Sequence, residues 1–77
     1  MREKLPRVPA GKVIKVLERL GFMLVRQSGS HKIYKNGEGK RVTVPHHPGK
    51  ILHPKVLKSI LRDADLTVEQ FKELMKQ

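Results

Sequence analysis

Residues 22–45 read FMLVRQSGSHKIYKNGEGKRVTVP, and this stretch decides the fold class. Phe22 to Gln27 is rich in strand formers, His31 to Lys35 carries Ile33 and Tyr34, and Arg41 to Val44 sets Val42 and Val44 two positions apart. Branched and aromatic side chains fit a pleated, half-buried surface, so three short strands are expected. Ser28, Gly29 and Ser30 separate the first two, and Asn36, Gly37, Glu38 and Gly39 the second two; both are compositions that favour tight reversals. An antiparallel meander is the economical arrangement. Proline offers no amide donor to a ladder, so Pro45 closes the meander and His46, His47, Pro48 and Gly49 follow as a loop.

Helices flank this core on both sides. From Lys12 to Leu20 the apolar residues Val13, Val16, Leu17 and Leu20 recur at the spacing of one helix face, and Gly21 suits the left-handed residue that ends a helix. Lys12, Lys15 and Arg19 fall on a different face of it. Downstream, Pro54 fits the first helical position, Leu57, Ile60, Leu61 and Ala64 form a buried stripe, and Lys55, Lys58 and Arg62 lie opposite. Thr67 and Gln70 make a capping box, with Leu66 placed to staple onto Phe71. A last helix from Val68 to about Lys76, presenting Val68, Phe71, Leu74 and Met75, is too short to be stable without packing on something. The predicted fold is α+β in the order α-β-β-β-α: a three-stranded antiparallel sheet with helices on one face, plus a short C-terminal helix. That is the topology of double-stranded-RNA-binding domains. The chain is expected to be a single domain, 1–77, with residues 1–9 as an N-terminal arm and 67–77 as the C-terminal helix.

Composition narrows the function. A chain of 77 residues buries only about 60% of its unfolded surface, and one Tyr, two Phe and no Trp leave a thin, mostly aliphatic core. The absence of Cys removes disulfides, thiolate metal sites and cysteine nucleophiles together. Met1 to Gly11 carries charge and two prolines but no apolar run, so neither a signal peptide nor a membrane span is expected, and the location expected by default is cytoplasmic. A net charge of +10 makes polyanions the first class of partner. Residues 1–62 hold 15 Lys and Arg against three acids, whereas residues 63–77 hold two against four. The final segment is therefore not the part that meets a phosphate backbone.

Gly29, Ser30 and His31 sit where a turn enters a strand, between Arg26 and Lys32. An imidazole with the ordinary pKa near ~6.5 can take the proton of a ribose 2′-hydroxyl at neutral pH, which is the attack that cleaves RNA through a cyclic phosphate. Neighbouring cations stabilise the charge that builds on phosphorus. The same position also fits a surface histidine on a hairpin. His46, His47 and His53 share their stretch with no Cys or carboxylate and match no zinc spacing, so no metal site and no cofactor is expected. His53 reads as the residue before the second helix. His46 or His47 could contact RNA or supply a general acid, and nothing in the sequence singles out either.

Lys50, Lys55 and Lys58 surround the amino end of the second helix, which already favours anions, and so are candidate RNA-binding residues with Arg26, Ser30 and Lys32. So few aromatics argue against base stacking on single strands and for recognition of backbone and groove shape. There is no Gly-rich phosphate loop and no carboxylate pair suited to two metals. Two functions fit these residues: a ribonuclease using His31, or a non-catalytic RNA-binding module in which His31 only donates a hydrogen bond to phosphate or 2′-hydroxyl. A protein-interaction role through the acidic C-terminal segment is compatible with either.

Gly21-Phe22, Val25-Arg26-Gln27, Gly29-Ser30-His31, Val42-Thr43-Val44-Pro45-His46 and Leu57-Lys58-Ser59-Ile60-Leu61 together resemble the HicA family of toxins from toxin-antitoxin systems. The resemblance covers nearly the whole chain. It implies a double-stranded-RNA-binding-like fold acting as an mRNA interferase, an endoribonuclease whose catalytic histidine corresponds to His31, expected to work without a metal. It also implies a cognate HicB-type antitoxin as partner, alongside RNA. Two positions depart from the family pattern: Lys55 near the start of the second helix and Asp65 at its end, where the family often has Gly.

Overall fold

The computed structural model describes residues 5–77. It has α1 (Ala10–Arg19), β1 (Met23–Ser28), β2 (His31–Lys35), β3 (Arg41–Pro45), α2 (Pro54–Asp63) and α3 (Val68–Met75). The strands form one antiparallel sheet in the order β1-β2-β3. This is the predicted α+β arrangement. Tyr34, Val42 and Val44 join Val13, Leu17, Leu57, Ile60, Leu61 and Phe71 in one buried cluster, so the helices cover one face of the sheet and leave the other to solvent.

Element ends differ from the sequence expectation for identifiable reasons. α1 starts at Ala10, two residues before the apolar periodicity, because extended Pro9 serves as N-cap and its carbonyl accepts from Lys12 N–H at 3.1 Å. At the other end Gly21 takes φ 92°, Gly21 N–H donates to Glu18 O and Phe22 N–H to Leu17 O at 3.0 Å. This pair of bonds satisfies carbonyls that a helix end otherwise strands. Phe22 is thereby fixed as the buried residue after the helix, and β1 begins one residue later, at Met23.

α2 ends in the same way, but with Asp65 at φ 60° in the left-handed position: Asp65 N–H donates to Arg62 O and Leu66 N–H to Leu61 O. The departure from Gly at this position therefore leaves the helix end unchanged, as Asp tolerates this conformation better than most residues. Asp65 is in turn held by Lys40 at 3.2 Å, with Glu38 at 3.4 Å from the same ammonium. The hydrogen bond to Asp65 is the main reason that Lys40 holds its proton more tightly than an ordinary lysine, desolvation acting the other way.

The C-terminal helix belongs to the core. Its capping box is formed, with Gln70 N–H donating to Thr67 Oγ1 at 3.0 Å and Thr67 N–H to Gln70 Oε1 at 2.9 Å. Phe71 is 0% exposed, and Arg19 Nη1 donates to Leu74 O at 2.7 Å, tying α1 to the end of α3. Of the expected N-terminal arm, residues 1–4 lie outside the described residues, while buried Val8 accepts from Leu52 N–H at 2.9 Å.

Burial, and after it the negative charge of Glu18, pushes the Tyr34 phenol above its ordinary pKa of 10.0. Above the unfolded value the unfolded chain has lost this proton while the folded chain keeps it, so stability falls as pH rises from about 10 towards the folded value. Tyr34→Phe removes that contribution. In urea midpoints compared from about pH 8 to about pH 11, the wild type is expected to lose stability relative to Tyr34→Phe at the alkaline end; parallel curves would show that Tyr34 ionises equally easily in both states.

Candidate functional site

The site is built by the β1–β2 hairpin. Ser28 pairs with His31, so β1 extends one residue further than the turn composition implied and the reversal is made by Gly29 and Ser30 alone. Gly29 takes φ 58°, a conformation that two-residue hairpins require and that glycine adopts without strain. His31 is therefore held at the first position of a strand, with Ser28 on one side and Pro45 on the other, and it is exposed.

A β-bulge decides what shares its face. The β1–β2 register shifts between Leu24 and Arg26, leaving Val25 as the extra residue. Before the bulge Leu24 pairs with buried Tyr34; after it Arg26 pairs with Ile33 and Gln27 with Lys32. Directly paired residues share a face and side chains alternate along a strand. The solvent face thus carries Arg26, Ser28 and His31, with Lys35 and Arg41 paired at its far end. Without the bulge Arg26 would point to the helical layer. Lys32, adjacent to His31 in sequence, lies on the opposite face and is half-buried. Met23 and Val25, 70% and 55% exposed, make the β1 edge apolar beside Arg26.

The loop after β3 closes back on the turn. His46 N–H donates to Ser30 O at 2.7 Å, and His47 Nε2 lies 3.5 Å from Ser30 Oγ. Lys50 N–H then donates to His47 O at 3.1 Å, which curls the loop towards α2. Pro45, His47, Lys50, Ile51, Leu52, His53 and Val56 line a pocket of about 280 Å³ on this side. His53 caps α2, its Nδ1 accepting from Lys55 N–H at 3.1 Å. Lys55 and Lys58, one turn apart on α2, are exposed, and no acidic residue occupies the first turn to offset the helix's positive end.

The structure therefore brings Arg26, Ser30 and His31 together at the hairpin end, sets Lys50 beside His47, and places Lys55 and Lys58 in the helical layer. Among the described residues no three His, Cys, Asp or Glu side chains are grouped so that they could hold a metal ion. Sequence reasoning missed the bulge and the contact between His47 and Ser30. A signal for the first was present: Phe22-Met23-Leu24-Val25 is an unbroken apolar run that breaks the alternation of a regular edge strand.

A family model, the HicA toxin of bacterial toxin-antitoxin systems, matches residues 10–66. The chain belongs to the HicA toxin family. No curated protein matches it. The HicA match runs from the start of α1 to the residue after the left-handed Asp65 and stops before α3, although Phe71 of α3 is buried in the same core. Membership of HicA makes the chain the toxin of a toxin-antitoxin pair, and hence a protein with an antitoxin partner. No helix among the described residues is long and apolar enough to cross a membrane.

Proposed function

We propose that this HicA-family toxin is an mRNA interferase, an endoribonuclease in which His31 is the general base. The observation that carries the reading is the placement of His31 at the exit of a two-residue turn, exposed, on the sheet face to which the Val25 bulge directs Arg26. In this reading the His31 imidazole takes the 2′-hydroxyl proton, the 2′-oxygen attacks the adjacent phosphorus, and Arg26 and the Ser30 hydroxyl stabilise the phosphorane charge. Lys50, Lys55 and Lys58 hold flanking phosphates, and Lys32 reaches them from the opposite side of β2. A HicB-type antitoxin silences the toxin by laying acidic side chains over Arg26 and His31, where electrostatic complementarity speeds association.

The test is product chemistry. Purified protein incubated with a defined RNA in chelator is expected to yield fragments ending in 2′,3′-cyclic phosphate and 5′-hydroxyl; RNA that is bound but stays intact would establish a non-catalytic binding module instead. Replacing Lys55 and Lys58 by Ala is expected to weaken binding across RNA sequences and to flatten its logarithmic salt dependence by roughly 0.7 to 0.9 per lost phosphate contact. An unchanged slope in salt titrations would move the phosphate-binding surface elsewhere.

A further inference from the structure

Cleavage at a 2′-hydroxyl needs a second proton transfer, because the departing 5′-oxygen leaves as a poor, strongly basic alkoxide unless it is protonated. We propose that His47 is the general acid that supplies this proton. The inference rests on the ribonuclease reading with His31 as base.

Three observations single out His47 among the remaining histidines. Ser30, the residue before His31, is joined to the loop after β3 by its carbonyl, which accepts from His46 N–H at 2.7 Å, and this fixes the loop against the catalytic turn. The His47 imidazole faces the same residue, with Nε2 3.5 Å from Ser30 Oγ. That distance is at the long limit of hydrogen bonding, so the contact orients the ring and leaves it accessible. His53, by contrast, uses Nδ1 to cap α2, and His46 contributes its backbone N–H and is half-buried, whereas His47 is exposed.

The surroundings suit a leaving nucleoside. His47 stands in the wall of the ~280 Å³ pocket with Lys50 at its side and Ile51, Leu52 and Val56 behind. A base or sugar can rest against such apolar side chains while Lys50 holds the next phosphate. His31 lies across the ladder from Pro45, two residues before His47, and directly follows Ser30, whose Oγ the His47 ring approaches, so the two histidines sit at neighbouring strand ends on either side of Ser30 in the backbone path. In-line displacement needs its base and acid on opposite sides of one phosphate. In the step, the O2′–P bond forms as the P–O5′ bond breaks; the 2′-hydroxyl proton passes to His31, and the His47 proton passes to O5′. The products are a 2′,3′-cyclic phosphate and a free 5′-hydroxyl, with His31 left protonated and His47 neutral.

The experiment compares ordinary RNA with the same RNA carrying sulfur in place of the bridging 5′-oxygen at the cleavage site, since a thiolate departs without protonation. His47→Ala is expected to lower cleavage of ordinary RNA by about 10²- to 10⁴-fold and to cut the sulfur substrate within about tenfold of the wild-type rate. His31→Ala is expected to fail on both. The wild-type pH profile should be bell-shaped, and His47→Ala should lose its descending alkaline limb. His47 is exposed, so the variant keeps its fold, which an unfolding curve verifies. A His47 variant that is equally impaired on both substrates, or that cuts ordinary RNA at the wild-type rate, overturns the assignment and leaves the ribonuclease reading standing. A wild-type protein inert on both substrates overturns that reading and the role of His47 with it.

Discussion

His31→Ala is expected to lower RNA cleavage by about 10²- to 10⁴-fold, the share that one general acid or base contributes, and to abolish growth arrest on induced expression. Stability should hardly change. The imidazole is exposed, the pairing of His31 with Ser28 and Pro45 in the sheet involves the backbone and not the side chain, and surface substitutions of this kind stay within about 0.5 kcal/mol. For a domain of this size that corresponds to a shift of the thermal midpoint of no more than about 4 °C. RNA binding should also survive, because Arg26 and the lysines of α2 are untouched. An Ala variant that cuts a defined RNA at the wild-type rate, in a preparation free of contaminating nuclease, removes His31 from the chemistry.

How much of this site the sequence could disclose depends on what each feature rests on. The strands, the two amphipathic helices and the capping box at Thr67 follow from periodicity and local hydrogen-bonding chemistry, and each forms in the segment those rules assign it, with ends of α1 and β1 shifted by one or two residues. The two helix ends show local logic from both sides: Gly21 fills its left-handed position as glycines do, and Asp65 fills the equivalent one at the end of α2. What the sequence hid is non-local. The face on which Arg26 falls depends on one extra residue in β1, which only the paired strand can reveal. The approach of His47 to Ser30 joins residues 17 apart through a loop whose path is set by a backbone bond, and no spacing rule encodes it. Of the three histidines in residues 46–53, His53 reads in the sequence as the residue before the second helix, while His46 and His47 look equivalent. The fold separates them into a helix cap, a half-buried link and an exposed imidazole at the site.

Phe71→Ala is expected to cost about 3 to 5 kcal/mol, a large fraction of the roughly 5 to 15 kcal/mol that holds a domain together. The ring is 0% exposed and sits among the residues of α1, α2 and the sheet, so its removal opens a cavity that a thin core cannot refill. Deleting residues 67–77 is expected to do more. It removes Phe71, strips Leu74 and Met75 from the core margin, and takes away the carbonyl that Arg19 grips at 2.7 Å. Such a truncated toxin should lose its cooperative unfolding transition, and with it RNA cleavage and antitoxin binding alike. Loss of neutralisation on truncation therefore says nothing about where the antitoxin sits, even though the family match ends at residue 66. The exposed acids of α3 allow the separation. Glu69→Lys with Glu73→Lys reverses charge at two exposed positions outside the core, so the fold should persist. If α3 contributes only to the toxin's own core, this double variant binds the antitoxin as tightly as the wild type. A weakened complex from a variant with an unchanged unfolding midpoint would put α3 in the interface. A chain ending at residue 66 that still unfolds cooperatively, within about 1 kcal/mol of the full chain, would refute the structural role assigned to Phe71.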